Sequence, residues 1–132
     1  MVDKPRIEPA LVQDFVNHAH SDFARVRDLL EREPALINAA WDWGAGDWET
    51  GLGAAAHMGR RDIALHLLER GARIDIFAAA MLGQLDIVRA MIAAVPQARN
   101  WRGPHGIPLL AHAEAGGVGA APVVDFLKSL ER

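Results

Sequence analysis

The chain has no cysteine and no tyrosine. The missing thiols exclude disulfides, thiolate metal sites and cysteine nucleophiles together. No apolar run approaches the roughly 18 residues of a membrane span, and residues 1–6 lack the apolar segment of an export leader. A soluble, cytoplasmic protein with no membrane contact is the expectation. Lysine and arginine form no cluster: 14 of them are interleaved with 17 acids, for a formal net charge of −3. The counterion release that drives nucleic-acid binding therefore has no basic stripe to work through, and nucleic acid is not an expected partner. There is no glycine-rich phosphate loop and no serine nucleophile elbow, so no cofactor is expected either.

What the chain does have is small and aliphatic. Apolar residues make up 51% of 132 positions, alternating β-branched runs are scarce, and seven prolines fall between periodic segments. That composition predicts an all-α fold, and the length suits one domain, spanning residues 10–132 behind an extended arm at 1–9.

A pattern recurs along that domain: small residues, two variable residues, Gly, then a helix ending in paired aliphatics. It runs through Ala54, Ala55, Ala56, His57, Met58 and Gly59 to Leu67 and Leu68. It returns in Ala78, Ala79, Ala80, Met81, Leu82 and Gly83, ending at Met91 and Ile92. Worn copies lead from Asn17 through Ser21 to Leu29 and Leu30, and from Ala111 through Gly116 to Val123 and Leu127. Four helix-turn-helix units result, with helices expected at 9–20 and 22–32, 51–58 and 61–69, 75–82 and 85–94, and 108–115 and 121–130. No single pair buries its apolar face alone, so the units must stack.

These features resemble the ankyrin-repeat family, whose unit of about 33 residues reads Thr-Pro-Leu-His, Ala-Ala-x-x-Gly, an aliphatic helix and Gly-Ala-Asp. Thr50-Gly-Leu-Gly53 and Ile107-Pro-Leu-Leu110 stand at the first motif, and Gly71-Ala-Arg-Ile-Asp75 at the last. The resemblance implies a short solenoid with degenerate caps, working as a binding module for a protein partner or a small organic ligand, as monomer or homodimer.

Its departures are more specific. Ser21, Gly59, Gly83 and Gly116 are spaced 38, 24 and 33 residues apart. The first interval is too long and carries Trp41, Trp43 and Trp48, an elongated finger. The second is too short, so the finger between units two and three should be missing. A long finger beside a deleted one predicts a notch.

The family's binding face is built from finger tips and the pair before the turn glycine. Carried over position by position, that implies Asp47, Trp48 and Glu49, then His57 and Met58, then Met81 and Leu82, and in unit four His105, Gly106, Glu114 and Ala115. Trp43 and Trp48 would form an aromatic wall, with Asp42, Asp47 or Glu49 as the polar anchor. Alternatively the indoles simply pack on the inner helices. His57 lies too far along a helix to meet Glu49, but His105 could approach from the next finger across the shortened connection. Asp47, Glu49, His57 and His105 are thus candidates for acid/base catalysis, the rival to simple binding. An adaptor reading would instead use Met58, Met81 and Leu82 as apolar contacts for a protein. His112 replaces a packing alanine and must find an acceptor or face the notch. His18 and His20 project in different directions, with no acid at helical spacing, so no metal site is expected.

Overall fold

The computed structural model describes residues 3–131, so Met1, Val2 and Arg132 lie outside it. Residues 3–8 of the arm carry no regular element. Eight α-helices follow among the described residues: α1 (Pro9–His18), α2 (Phe23–Arg32), α3 (Gly51–His57), α4 (Arg61–Glu69), α5 (Ile76–Met81), α6 (Leu85–Ala94), α7 (Leu109–Ala115) and α8 (Ala121–Ser129). None is long and apolar enough to cross a membrane. The sheet is one hairpin, β1 (Ala40–Asp42) with β2 (Trp48–Thr50), paired antiparallel so that Trp41 faces Glu49.

Local chemistry sets the helix starts. Thr50 Oγ1 accepts the Gly53 N–H at 3.0 Å to open α3, and Asp75 Oδ1 accepts the Ala78 N–H at 2.8 Å to open α5. Asp22 does the same for α2 through the Arg25 N–H. Each side chain satisfies one of the donors that a helix leaves free in its first turn.

The helices pair as α1 with α2, α3 with α4, α5 with α6 and α7 with α8, and α1, α3, α5 and α7 pack on one another in chain order. The short α5 is buried on both sides. Ala78 and Met81 join one apolar cluster with Phe15, Leu52 and Leu67, while Ile76, Ala79 and Ala80 join a second with Val88, Leu109 and Val123. Only small residues let helices approach this closely on two faces, which is why alanine fills the repeat.

Between α4 and α5 the chain crosses Arg70 to Asp75 without a strand, whereas the α2–α3 connection holds the hairpin. α7 therefore packs on α5 and also touches α3, skipping a unit. That closure carries the loop ahead of α7 onto the hairpin ahead of α3.

Candidate functional site

The site begins with strand periodicity. Side chains alternate along an extended strand, so Trp41, Trp43, Asp47 and Glu49 share the inward face of the hairpin while Trp48 and Asp42 lie on the other. Trp41 and Trp43 pack against the first apolar cluster, and Trp48 is 60% exposed. Glu49 ends up 1% exposed, held by the core behind it.

Four donors and imidazoles surround that carboxylate. The Trp43 indole N–H donates to Oε1 at 2.9 Å, and His20 Nε2 lies 3.1 Å from the same oxygen. His57 Nε2 lies 2.9 Å from Oε2 and His105 Nε2 3.3 Å from it. No lysine or arginine pairs with Glu49 among the described residues. The three rings stand around the carboxylate with centroids 4.9 Å (His20 to His57), 5.3 Å (His57 to His105) and 6.2 Å (His20 to His105) apart. His20 comes from the turn after α1, His57 from the last turn of α3, and His105 from the loop before α7.

His105 is held firmly for so exposed a residue. Its backbone N–H donates to Asp47 Oδ1 and its ring Nδ1 to Asp47 Oδ2, both at 2.7 Å. It also has a left-handed backbone, φ +62°, which a non-glycine residue keeps only when its surroundings impose it.

Electrostatics follow from these contacts. Burial alone would push the Glu49 carboxyl up, but hydrogen bonds from His20, His57 and Trp43 outweigh it and hold the group down at about 2. The same bond to Glu49 raises His20 against the opposing effect of burial. Asp47 is lowered, chiefly by the His105 backbone N–H.

A cleft of about 320 Å³ adjoins the cluster, between Asp47 and Trp48 on one side and Arg102 and Pro104 on the other, with Gly53 and Phe77 lining it. Asp75, at the start of α5, also lines it, and Asp47 borders both cleft and cluster.

Several expected site residues sit elsewhere. Met81 and Leu82 are 1% and 4% exposed, so they belong to the core and offer nothing to a protein partner; of that trio only Met58 is exposed. Asp42 accepts the Gly44 and Gly46 N–H groups at 2.8 and 3.0 Å and so shapes the hairpin turn, on the face opposite Glu49. Glu49 and His57 do meet, contrary to expectation, because Glu49 belongs to a strand that turns into α3 at Thr50 instead of continuing its axis. His20, Glu49, His57 and His105 each offer a ligand atom within 4.8 Å of the others. Even His18 has its acid at helical spacing, with Nδ1 2.7 Å from Asp14. His20 went unrecognised because its neighbours are distant in sequence. The available signal was its place at the end of an inner helix, beside the equivalent end of α3.

His112 is fully buried with Nδ1 2.9 Å from the Pro108 carbonyl, while Nε2 has no partner among the described residues. Burial lowers its pKa, keeping the ring neutral. It fills space beneath Gly103 and against Phe77, outside the imidazole cluster. His112→Leu, of similar volume, removes an unsatisfied nitrogen from the core and is expected to stabilise the fold by ~1 kcal/mol, read by urea denaturation. A loss of stability instead would show that Nε2 has a partner.

No protein-family model matches the chain, and no curated protein does. What the molecule does is therefore argued from the Glu49 cluster and the cleft beside it.

Proposed function

We propose that the chain is a small-ligand binding module on an ankyrin-like stack of four helix hairpins, with the Glu49 cluster as its site and the adjoining cleft as the ligand's berth. The single observation that carries this reading is Glu49. A fully buried carboxylate with no lysine or arginine beside it, ringed by three imidazoles and an indole, is far from what a packing scaffold requires. Leucine or alanine would fill that position without the desolvation penalty of a charge. Perturbed titratable groups beside a cleft are the usual mark of a working site. The ankyrin-like reading is supported by Thr50 and Asp75 capping inner helices and by the alanine-rich inner row. Burial of Met81 and Leu82 favours a small ligand over a protein partner.

The test is a thermal-shift screen over small polar metabolites, with Trp43 fluorescence as a second readout because its indole bonds directly to Glu49. A compound that raises the melting temperature of wild type and loses that effect in His57→Ala and Trp48→Phe is the expected result. A library without any such compound would count against the reading.

One observation favours a catalytic variant of it. The doubly anchored Asp47–His105 pair is oriented and a third exposed, as a general acid or base must be. Turnover of a bound compound that disappears in His105→Gln, with binding retained, would establish it.

A further inference from the structure

We propose that His20, His57, His105 and Glu49 form a binding site for one divalent first-row transition-metal ion of the zinc class. The proposal deepens the binding-module reading above and rests on it, since it names the occupant of the same cluster.

The argument starts from which ring nitrogens are already committed. His20 Nδ1 lies 2.9 Å from the Asn17 carbonyl and 3.0 Å from the Val16 carbonyl, both of which only accept. Nδ1 of His20 therefore carries the proton. His105 Nδ1 faces the Asp47 carboxylate at 2.7 Å and donates in the same way. In a neutral imidazole one nitrogen donates and the other presents a lone pair. When neutral, His20 and His105 thus aim Nε2 lone pairs at the Glu49 carboxylate, whereas a protonated ring donates to it instead, and His57 turns its Nε2 to the same group. Lone pairs converging on carboxylate oxygens repel unless something positive lies among them. Extra protons can do this one ring at a time, whereas one dication does it for the whole set.

The surroundings match a ligand shell. Metal-binding histidines characteristically give their second N–H to a carboxylate or a backbone carbonyl, which fixes tautomer and ring orientation. Asp47 and the α1 carbonyls occupy those places here. The Trp43 N–H orients the carboxylate from outside the cluster. One atom from each of the four residues lies within 4.8 Å of the others, with His57 and His105 Nε2 at 2.9 and 3.3 Å from Glu49 Oε2 and His20 Nε2 at 3.1 Å from Oε1. The edges of a tetrahedron about zinc are ~3.4 Å, so a shift of about an ångström in the widest spacing closes the shell. Three imidazoles and one carboxylate suit zinc, iron, cobalt or nickel and not calcium or magnesium, which take oxygen. His105 leaves the cluster reachable from solvent, so a ligand could complete the coordination from that side.

The experiment uses the full chain, stripped with chelator and titrated with Zn(II) by calorimetry and with Co(II) by visible absorption. One ion per chain is expected. His20→Ala and His57→Ala should each weaken Zn(II) binding at least ~100-fold, and Asp47→Asn, which frees the His105 ring, about 10-fold. His18→Ala, outside the cluster, should match wild type. Nitrogen NMR of the wild-type histidines supplies a readout that needs no variant, with His20, His57 and His105 Nε2 shifting on Zn(II) addition and His112 staying in place. Zn(II) that leaves those three signals unmoved, or affinity unchanged in the cluster variants, would overturn the proposal. If a metabolite from the screen still shifts them while Zn(II) does not, the binding-site reading stands and only the metal falls. If neither does, both fall.

Discussion

Gly83→Ala is expected to destabilise the protein by roughly 3 kcal/mol, lowering its melting temperature by ~10 °C. Gly83 turns the chain from α5 into α6 at φ +76°, a conformation that costs an alanine about 1 to 2 kcal/mol. The added Cβ would also run into the carbonyl oxygen of Gly119, in the turn that leads to α8. Backbone on both sides leaves no flexible side chain to swing away, so units three and four must part slightly. That separation opens the α5–α7 packing on which the second apolar cluster depends. Gly71→Ala is the control. It has φ +99° but open space around its Cβ, so it carries the conformational penalty alone, about 1 kcal/mol. Thermal and urea denaturation of both variants would decide the matter. Equal losses would mean that the contact between the two turns does not restrain the stack.

Glu49→Gln is expected to cost on the order of 3 kcal/mol near pH 6, and the loss should fade as pH falls. The sign follows from the direction of the shift. A carboxyl held at about 2, against an ordinary 4.5, contributes stability that is fully present above the ordinary value and lost as pH falls through the folded one. A displacement of that size corresponds to ~3 kcal/mol. His20 acts in the opposite sense. Its raised pKa contributes stability below its ordinary 6.5, lost as pH rises through the folded value. Chelator-treated wild type should therefore be most stable relative to the variant between about pH 5 and 6.5, with the gap narrowing toward pH 2. A gap independent of pH would show that the charge on Glu49 is not what the imidazoles hold.

The helical framework is legible in the sequence, and specific residues explain why. Alanine triplets at 54–56 and 78–80 can only mark helices packed on two faces, and a glycine after each permits the tight return. The uneven spacing of Ser21, Gly59, Gly83 and Gly116 located both the long connection and the short one. The site was legible in part. Asp47, Glu49, His57 and His105 stood out as chemistry-bearing residues at finger tips and turns, and these four do meet. The meeting of Glu49 with His57 was misjudged by extending a helix through Thr50, where the backbone is still a strand. His20 was missed because side-chain direction at the end of α1 depends on how that turn packs. Met81 and Leu82 were misplaced because position in a repeat unit does not report burial when α7 closes over α5.

The amino-acid sequence by itself determined the helices and the need to stack, because periodicity and small-residue packing are local chemistry repeated along the chain. Only the tertiary structure decided the site. Four residues separated by up to 85 positions converge because α7, beyond the short strand-free connection between α4 and α5, also packs on α3. How the rings present to Glu49 depends on two carbonyls at the end of α1 and on the Asp47 carboxylate of the hairpin. No pattern in one segment encodes that geometry, since it exists only once the units are in contact.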